Sequence, residues 1–226
     1  MYTMAQPQSS ASEALRLLRT NLEFASASDE IHALTVTSPG PEEGKSTIVA
    51  NIGVVLAQSG KSAVIIDADL RKPTQHKIFG VPNERGLTTL LTHPEVGWQS
   101  AASKLALPGL LLIPSGPIPP NPSDLVSSTR FAQLIERIKS EVDLVIIDSP
   151  PILAASDSLA IATHTDGVIL VCRSNKTRTD ALRHAAHSVH QGGIRLVGVV
   201  LNRQKGQVGA SYYGEYYGST VSNPGD

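Results

Sequence analysis

Short apolar runs alternate along the chain with segments in which apolar residues recur at helical spacing. The runs are apolar and often β-branched, which predicts strands at 31–37, 63–66, 110–113, 143–147, 167–171 and 196–201. The helical spacing predicts helices at 12–27, 45–58, 129–140 and 179–190. Ser12 is the predicted N-cap of the first helix, and Gly60 ends the second.

The predicted strands are mostly uninterrupted apolar runs, as expected for strands that are buried on both faces of a sheet. Strands and helices in alternation then predict an α/β fold, with a mostly parallel central sheet and helices on both faces. Residues 1–10 lack this periodicity, as does the Gly-, Ser- and Tyr-rich stretch at the end. We therefore expect one domain over 1–205 and a flexible tail over 206–226.

The composition excludes several classes of protein. Apolar residues make up 41% of the 226 residues, and the net charge is −1, so no overall field attracts nucleic acid. One cysteine rules out an internal disulfide framework and fits a reducing compartment. No apolar run approaches the roughly 20 residues that span a bilayer, and no signal peptide is evident. A cytoplasmic protein is therefore expected.

A loop suited to phosphate binding follows the first predicted strand. Its sequence from Ser38 to Thr47 is SPGPEEGKST, and it leads directly into an apolar helix. Backbone N–H groups and a helix N-terminus at such a place attract anions. The strict phosphate-loop pattern has glycine five places before Gly44, where this chain has Pro39. The alternative is a Gly-Pro turn with a chance Gly-Lys-Ser, but the position between strand and helix favours phosphate binding.

Three aspartates end two of the predicted strands. Asp67 and Asp69 lie in VIIDADLRKP, and Asp148 lies in LVIIDSPP. Each aspartate alone could be only a turn former. Together with a phosphate loop in the same sheet, they should meet at one sheet edge, where Mg²⁺ takes one or two carboxylates and phosphate oxygens. Arg71 and Lys72 follow directly and could bind phosphate or an acidic tail.

These segments together resemble the bacterial tyrosine kinases, which are related to the MinD and ParA ATPases. The deviant phosphate loop, the Asp-x-Asp-x-Arg segment and IIDSPP carry the resemblance. SGPIPPNPSDL and GVVLNR resemble further signature segments, and the similarity extends from about residue 12 to residue 218. The resemblance implies a P-loop fold and an ATP- and Mg²⁺-dependent protein-tyrosine autokinase.

The resemblance also implies a role for individual residues. Lys45 and Ser46 would hold the phosphates and Mg²⁺, Asp67 would orient the tyrosine hydroxyl or accept its proton, and Asp69 would support catalysis and the metal. Asp148 would also support the metal, and Asn202 would read the adenine edge, although a simple turn residue is nearly as good an explanation of Asn202. The nucleotide-binding residues implied are Gly40, Gly44, Lys45, Ser46, Thr47 and Asn202.

The two ends of the chain resemble the family's parts for assembly and self-modification. Glu13, Arg16 and Arg19 form E-x-x-R-x-x-R, which resembles a ring-forming motif; without the resemblance, a solvated helix face would be preferred. The tail YYGEYYG resembles an autophosphorylated cluster, made up of Tyr212, Tyr213, Tyr216 and Tyr217. By the resemblance, each tail enters a neighbour's site within a ring. A transmembrane activator of the polysaccharide co-polymerase type would recruit the protein to the inner face of the plasma membrane, to control capsular or extracellular polysaccharide synthesis and export.

Glu42 departs from the family pattern, which usually has glycine at this place in the loop. A side chain that points to solvent would cost about 1 kcal/mol of backbone strain, whereas one that points inward could abolish ATP binding. Two other functions therefore remain open. One is a MinD- or ParA-like ATPase switch, although Gly40 stands where those relatives carry an additional lysine. The other is a nucleotide-binding scaffold whose catalysis is impaired by Glu42.

Overall fold

A seven-stranded sheet forms the centre of the structure, a computed structural model that describes residues 2–204. The spatial order is β3-β4-β2-β5-β1-β6-β7, and all neighbours are parallel except β3 and β4. This confirms the predicted, mostly parallel sheet. The strands are β1 (Ala33–Thr37), β2 (Ala63–Asp67), β3 (Ser103–Lys104), β4 (Leu110–Ile113), β5 (Leu144–Asp148), β6 (Gly167–Arg173) and β7 (Leu196–Asn202).

Four long helices lie within two residues of their predicted bounds, and the others are short. The first long helix begins at Ser10 rather than Ser12, because Ser9 is its N-cap and its hydroxyl oxygen accepts from the Ser12 N–H. The N-terminal residues, whose sequence shows no helical or strand periodicity, include a helical turn. The helices are α1 (Tyr2–Ala5), α2 (Ser10–Ser28), α3 (Lys45–Gln58), α4 (Gln75–Phe79), α5 (Leu87–Thr92), α6 (Trp98–Ala101), α7 (Pro122–Val126), α8 (Thr129–Lys139), α9 (Asp157–Ala162) and α10 (Thr179–Gln191).

Side chains of the central strands alternate between two apolar layers, as the pleat requires. Ile65 and Ile146 belong to the layer that α2 and α3 cover. Ile66 and Ile147, one position further along, belong to the layer that contains Phe131 of α8. Both faces are therefore buried, which explains why these strands read as uninterrupted apolar runs.

The carboxyl ends of the central strands bring distant parts of the sequence together. Asp67 ends β2 and Asp148 ends β5, and the two residues are direct partners in the parallel register. β1 lies next to β5 and leads into the phosphate loop. The phosphate loop and the aspartates thus share one edge of the sheet, as the topology of parallel strands predicts.

Candidate active site

The phosphate loop ends at Gly44, the N-cap of the 14-residue helix α3, in the left-handed conformation with φ 95°. A Cβ at this position would lie 2.1 Å from the side-chain nitrogen of Asn202, so any other residue would force that amide to move. The Asn202 amide also donates to the carbonyl oxygen of Glu43 at 2.9 Å. Asn202 therefore packs directly on the loop, and its role in reading adenine stays a prediction.

Glu42 has a left-handed backbone, with φ 61°, and an outward side chain. The side chain is 82% exposed, and its carboxylate lies 3.2 Å from the Lys176 ammonium. The hydrogen bond and the charge of Lys176 lower the pKa of Glu42. The Glu42 side chain thus points to solvent and not into the loop interior, where it could have interfered with ATP binding.

Glu43, in contrast, is buried and holds the loop from inside. Its carboxylate accepts from the Gly40 N–H at 3.2 Å and from the Thr177 hydroxyl at 2.6 Å. Thr177 in turn accepts from the Arg173 N–H at 2.7 Å, at the end of β6. Sequence reasoning missed Thr177, because nothing in its local sequence shows a contact that spans 134 residues.

Lys45 lies among the predicted aspartates at the start of α3. Its ammonium is 3.0 Å from Asp69, 3.6 Å from Asp148 and 3.4 Å from the Ser46 hydroxyl. Burial by itself would lower the pKa of Lys45, but the charges of Asp148 and Asp69 outweigh it and raise the pKa. Lys45 therefore remains positively charged, as a group that binds phosphate oxygens must be.

Asp67 and Asp148 are completely buried, and together with Asp69 they place three carboxyl groups around the single ammonium of Lys45. Burial and the neighbouring charge of Asp148 raise the pKa of Asp67 to about 8, although two backbone N–H groups oppose the shift. Those groups, from Thr74 and Gln75, donate to Oδ2 of Asp67 at 2.9 and 2.8 Å. Oδ1 of Asp67 has no hydrogen-bond partner among the described residues. With a pKa of about 8 the carboxyl is largely protonated near pH 7, and its ionised form can accept a proton from a bound hydroxyl at this oxygen.

Gln75, which sequence reasoning did not select, joins the three motifs. Its buried amide nitrogen donates to Asp148 at 2.8 Å and to the backbone oxygen of Ser46 at 3.0 Å. Its backbone N–H holds Asp67, as described above. One side chain thus fixes the position of the β5 carboxylate relative to the phosphate loop. Its place just after the Asp-x-Asp segment was the only local signal.

The residues at this edge fit the Mg²⁺ that the fold family implies. Oδ1 of Asp148 is buried, forms no hydrogen bond with another described residue and faces Lys45 across 3.6 Å. Asp69, in contrast, uses both oxygens, towards Lys45 and the Lys72 N–H. Residues 2–204 contain no group of three or more His, Cys, Asp or Glu side chains that could hold a metal alone. Mg²⁺ keeps waters and uses phosphate oxygens as ligands, so one or two carboxylates are enough to hold it.

The predicted interface residues lie on α2 and pair within the chain. Arg16 forms a 2.8 Å ion pair with Glu13 and donates to the Pro7 carbonyl, while Arg19 lies 3.6 Å from Glu23. Contact with a second subunit stays a prediction. The four predicted phosphorylation sites, at 212, 213, 216 and 217, lie outside the described residues.

Residues 31–210 match a family model described as ParA, NUBPL iron-transfer P-loop NTPase. The match covers most of the chain and shows the P-loop NTPase fold. It confirms the predicted fold class and supports nucleotide binding.

Comparison with individual proteins identifies a more specific group within the P-loop NTPases. The chain is 35% identical over 218 residues to the putative tyrosine-protein kinase CapB of Staphylococcus aureus, covering 96% of this chain and 95% of CapB. It is 39% identical over 216 residues to the tyrosine-protein kinase YwqD of Bacillus subtilis, covering 96% and 90%. The crystal structure of the chimerical protein CapA2B2 has a TM-score of 0.86 at 38% identity, covering 91% of this chain and 90% of that one.

The chain belongs to the bacterial tyrosine kinase family. This confirms the resemblance that the sequence motifs carried, and it confirms the enzyme class at the level of the family. In this bacterial tyrosine kinase, no helix within residues 2–204 has both the length and the apolar character needed to cross a membrane.

Proposed function

We propose that this chain is an ATP- and Mg²⁺-dependent protein-tyrosine autokinase that phosphorylates Tyr212, Tyr213, Tyr216 and Tyr217 of its own tail. The observation that carries the proposal is the convergence of Lys45, Asp67 and Asp148 at one sheet edge, beside a phosphate loop. Membership of a tyrosine kinase family supports the same chemistry. The outward direction of Glu42 supports an active kinase over an impaired scaffold.

The reaction forms a bond between the tyrosine oxygen and the γ-phosphorus and breaks the bond from that phosphorus to ADP. Phosphoryl transfer depends mainly on positioning and charge neutralisation. Lys45 neutralises phosphate oxygens, which compete with Asp69 and Asp148 for its ammonium. The tyrosine hydroxyl, with an ordinary pKa near 10, gives its proton to Oδ1 of Asp67 in the ionised form of that carboxyl. Bound Mg²⁺ supplies further positive charge to the phosphates, and Ser46 and Asp148 would hold it, with Asp69 in support.

The proposal also covers the oligomer, the membrane partner and the process that the kinase regulates. The family resemblance supports a ring of copies in which each tail enters a neighbour's site, with Glu13, Arg16 and Arg19 at the contact. It also supports a transmembrane activator of the polysaccharide co-polymerase type, which would recruit the kinase from the cytoplasm to the inner face of the plasma membrane. The regulated process would then be capsular or extracellular polysaccharide synthesis and export.

The test is incubation of the full chain with Mg-ATP, with and without the activator's cytoplasmic segment, followed by mapping of phosphate by mass spectrometry. We expect phosphate on the tail tyrosines, and we expect it to be absent in Lys45→Met and strongly reduced in Asp67→Asn. Lys61→Met is the matched control, because Lys61 is an exposed lysine beyond the end of α3.

Other outcomes separate the alternatives. ATP hydrolysis without phosphotyrosine would refute the kinase in favour of a MinD- or ParA-like switch. Failure to bind nucleotide, restored by Glu42→Gly, would favour the impaired scaffold.

A further inference from the structure

A basic cleft of about 450 Å³ lies beside the aspartates. One wall is the segment from Arg71 to Lys77, which includes the start of α4, and the other includes the loop from Gly116 to Ile118. The Asn83 side chain fixes the second wall, because it donates to the Gly116 carbonyl and accepts from the Gly116 N–H. The residues that line the cleft include no aspartate or glutamate.

Two lysines give the cleft its uncompensated positive charge. Arg71 is already neutralised by a bidentate pair with Asp157, at 2.9 and 3.2 Å. Lys72 and Lys77 are exposed, and neither forms an ion pair with any residue in 2–204. Burial and the nearby Lys77 lower the pKa of His76, so this residue adds little charge near pH 7. The two free ammonium groups favour an anionic ligand.

The cleft also offers apolar and neutral polar surface. Ile118 is 65% exposed at its rim, next to Pro117. Thr74 also lines the cleft, although its hydroxyl oxygen is itself buried. An aromatic ring can pack on the isoleucine, while phosphate oxygens accept from the lysines. A phosphate ester of an aromatic side chain combines both requirements.

The cleft and the proposed proton acceptor are separated by a single residue. The Thr74 side chain lines the cleft, while its backbone N–H donates to Asp67 at 2.9 Å. Lys72 likewise lines the cleft, and its N–H donates to Asp69 at 3.0 Å. A ligand in the cleft would therefore lie next to a tyrosine that enters the active site.

We propose that this cleft binds a phosphotyrosine from the tail of a second copy of this chain and thereby presents the next tyrosine to the active site. The proposal rests on the proposed autokinase function. Each phosphotyrosine carries about −1.5 to −2 charges, which complements Lys72 and Lys77. The tail carries tyrosines in two pairs, 212–213 and 216–217. An extended chain rises roughly 3.3 Å per residue, so the two pairs lie about 10–13 Å apart. A tyrosine of one pair can therefore enter the active site while a phosphotyrosine of the other pair is bound in the cleft.

The binding test uses the full chain carrying Lys45→Met, which keeps its own tail unmodified, and a fluorescent peptide, SYYGEYYG, phosphorylated on its first two tyrosines. We expect saturable binding by fluorescence anisotropy and weak binding of the unmodified peptide. Lys72→Gln and Lys77→Gln should each lower the affinity for the phosphopeptide by about tenfold, which corresponds to about 1.4 kcal/mol of binding free energy. Lys104→Gln, at an exposed lysine on β3, is the matched control.

Competitors identify the ligand chemistry. A peptide with phosphoserine in place of phosphotyrosine, and inorganic phosphate alone, should both compete at least tenfold less well. Equal binding of phosphorylated and unmodified peptides would overturn the proposal, as would equal affinity in the lysine variants. Equal competition by phosphoserine peptide or inorganic phosphate would refute a site for phosphotyrosine.

A kinetic readout separates this proposal from the proposed function. In a chain that carries Lys77→Gln as its one substitution, the rate of the first phosphorylation should be unchanged. Forms with three or four phosphates should accumulate severalfold more slowly, as measured by intact-mass spectrometry. Peptide binding can be measured whether or not the chain is a kinase. Loss of kinase activity with intact peptide binding would refute the function, whereas normal multiple phosphorylation in Lys77→Gln would refute the role of the cleft.

Discussion

Gly44→Ala tests the contact between the phosphate loop and β7. The φ of 95° at this position places the new side chain in a conformation that costs about 1–2 kcal/mol for a residue with a Cβ. The same Cβ would lie 2.1 Å from the Asn202 nitrogen and would displace it from the Glu43 carbonyl. That lost hydrogen bond adds roughly 0.5–1.5 kcal/mol. We expect the free energy of unfolding to fall by about 2–3 kcal/mol, with weaker nucleotide binding.

Urea denaturation measures the stability, and a fluorescent ATP analogue measures the binding. Gly40→Ala is the control for stability in the same loop, because its φ is not left-handed and its Cβ would meet nothing closer than 3.9 Å. In an Asn202→Ala background, Gly44→Ala should cost only the backbone term, so the two substitutions should be non-additive by about 1 kcal/mol. Full additivity, or equal losses in Gly40→Ala and Gly44→Ala, would show that the contact is unimportant.

Three further predictions concern the loop, the buried carboxylates and pH. Glu42→Gly should raise the free energy of unfolding by roughly 0.5 kcal/mol, because relief of the left-handed strain exceeds the added chain entropy; a less stable protein in urea would contradict this. Gln75→Leu should lower the free energy of unfolding by about 1–3 kcal/mol in the same assay, because a buried oxygen of Asp148 loses its hydrogen-bond donor. An unchanged urea midpoint would show that this hydrogen bond does not stabilise the fold. Burial alone would raise the pKa of Asp166, but hydrogen bonds from Lys139 and two backbone N–H groups lower it below 3.8. The stability that Asp166→Asn removes should therefore be present at pH 7 and disappear as pH falls through 3.8 and below; a constant difference from pH 7 to pH 2 would contradict this sign.

Within residues 2–204, local patterns predicted the four long helices and six of the seven strands with small errors at their boundaries, but they missed the short β3 and the six short helices. The first long helix begins two residues early because Ser9 rather than Ser12 accepts the capping hydrogen bond, and both are serines in a polar stretch. The predicted strand at 31–37 pairs only from Ala33. Such differences arise because a strand's ends depend on the neighbour it pairs with, which its own sequence does not contain.

The sequence by itself determined the order of the four long helices and of all described strands except β3, as well as the phosphate loop and the three aspartates, because short-range periodicity and motif spacing encode them. Only the tertiary structure decided which atoms meet. It turns Glu42 outward to Lys176, buries Glu43 against Thr177, and makes Gln75 the link between the phosphate loop and Asp148. These contacts join residues 29 to 134 positions apart. The direction of a buried side chain depends on the packing of the whole sheet edge, so no local pattern could have predicted these contacts.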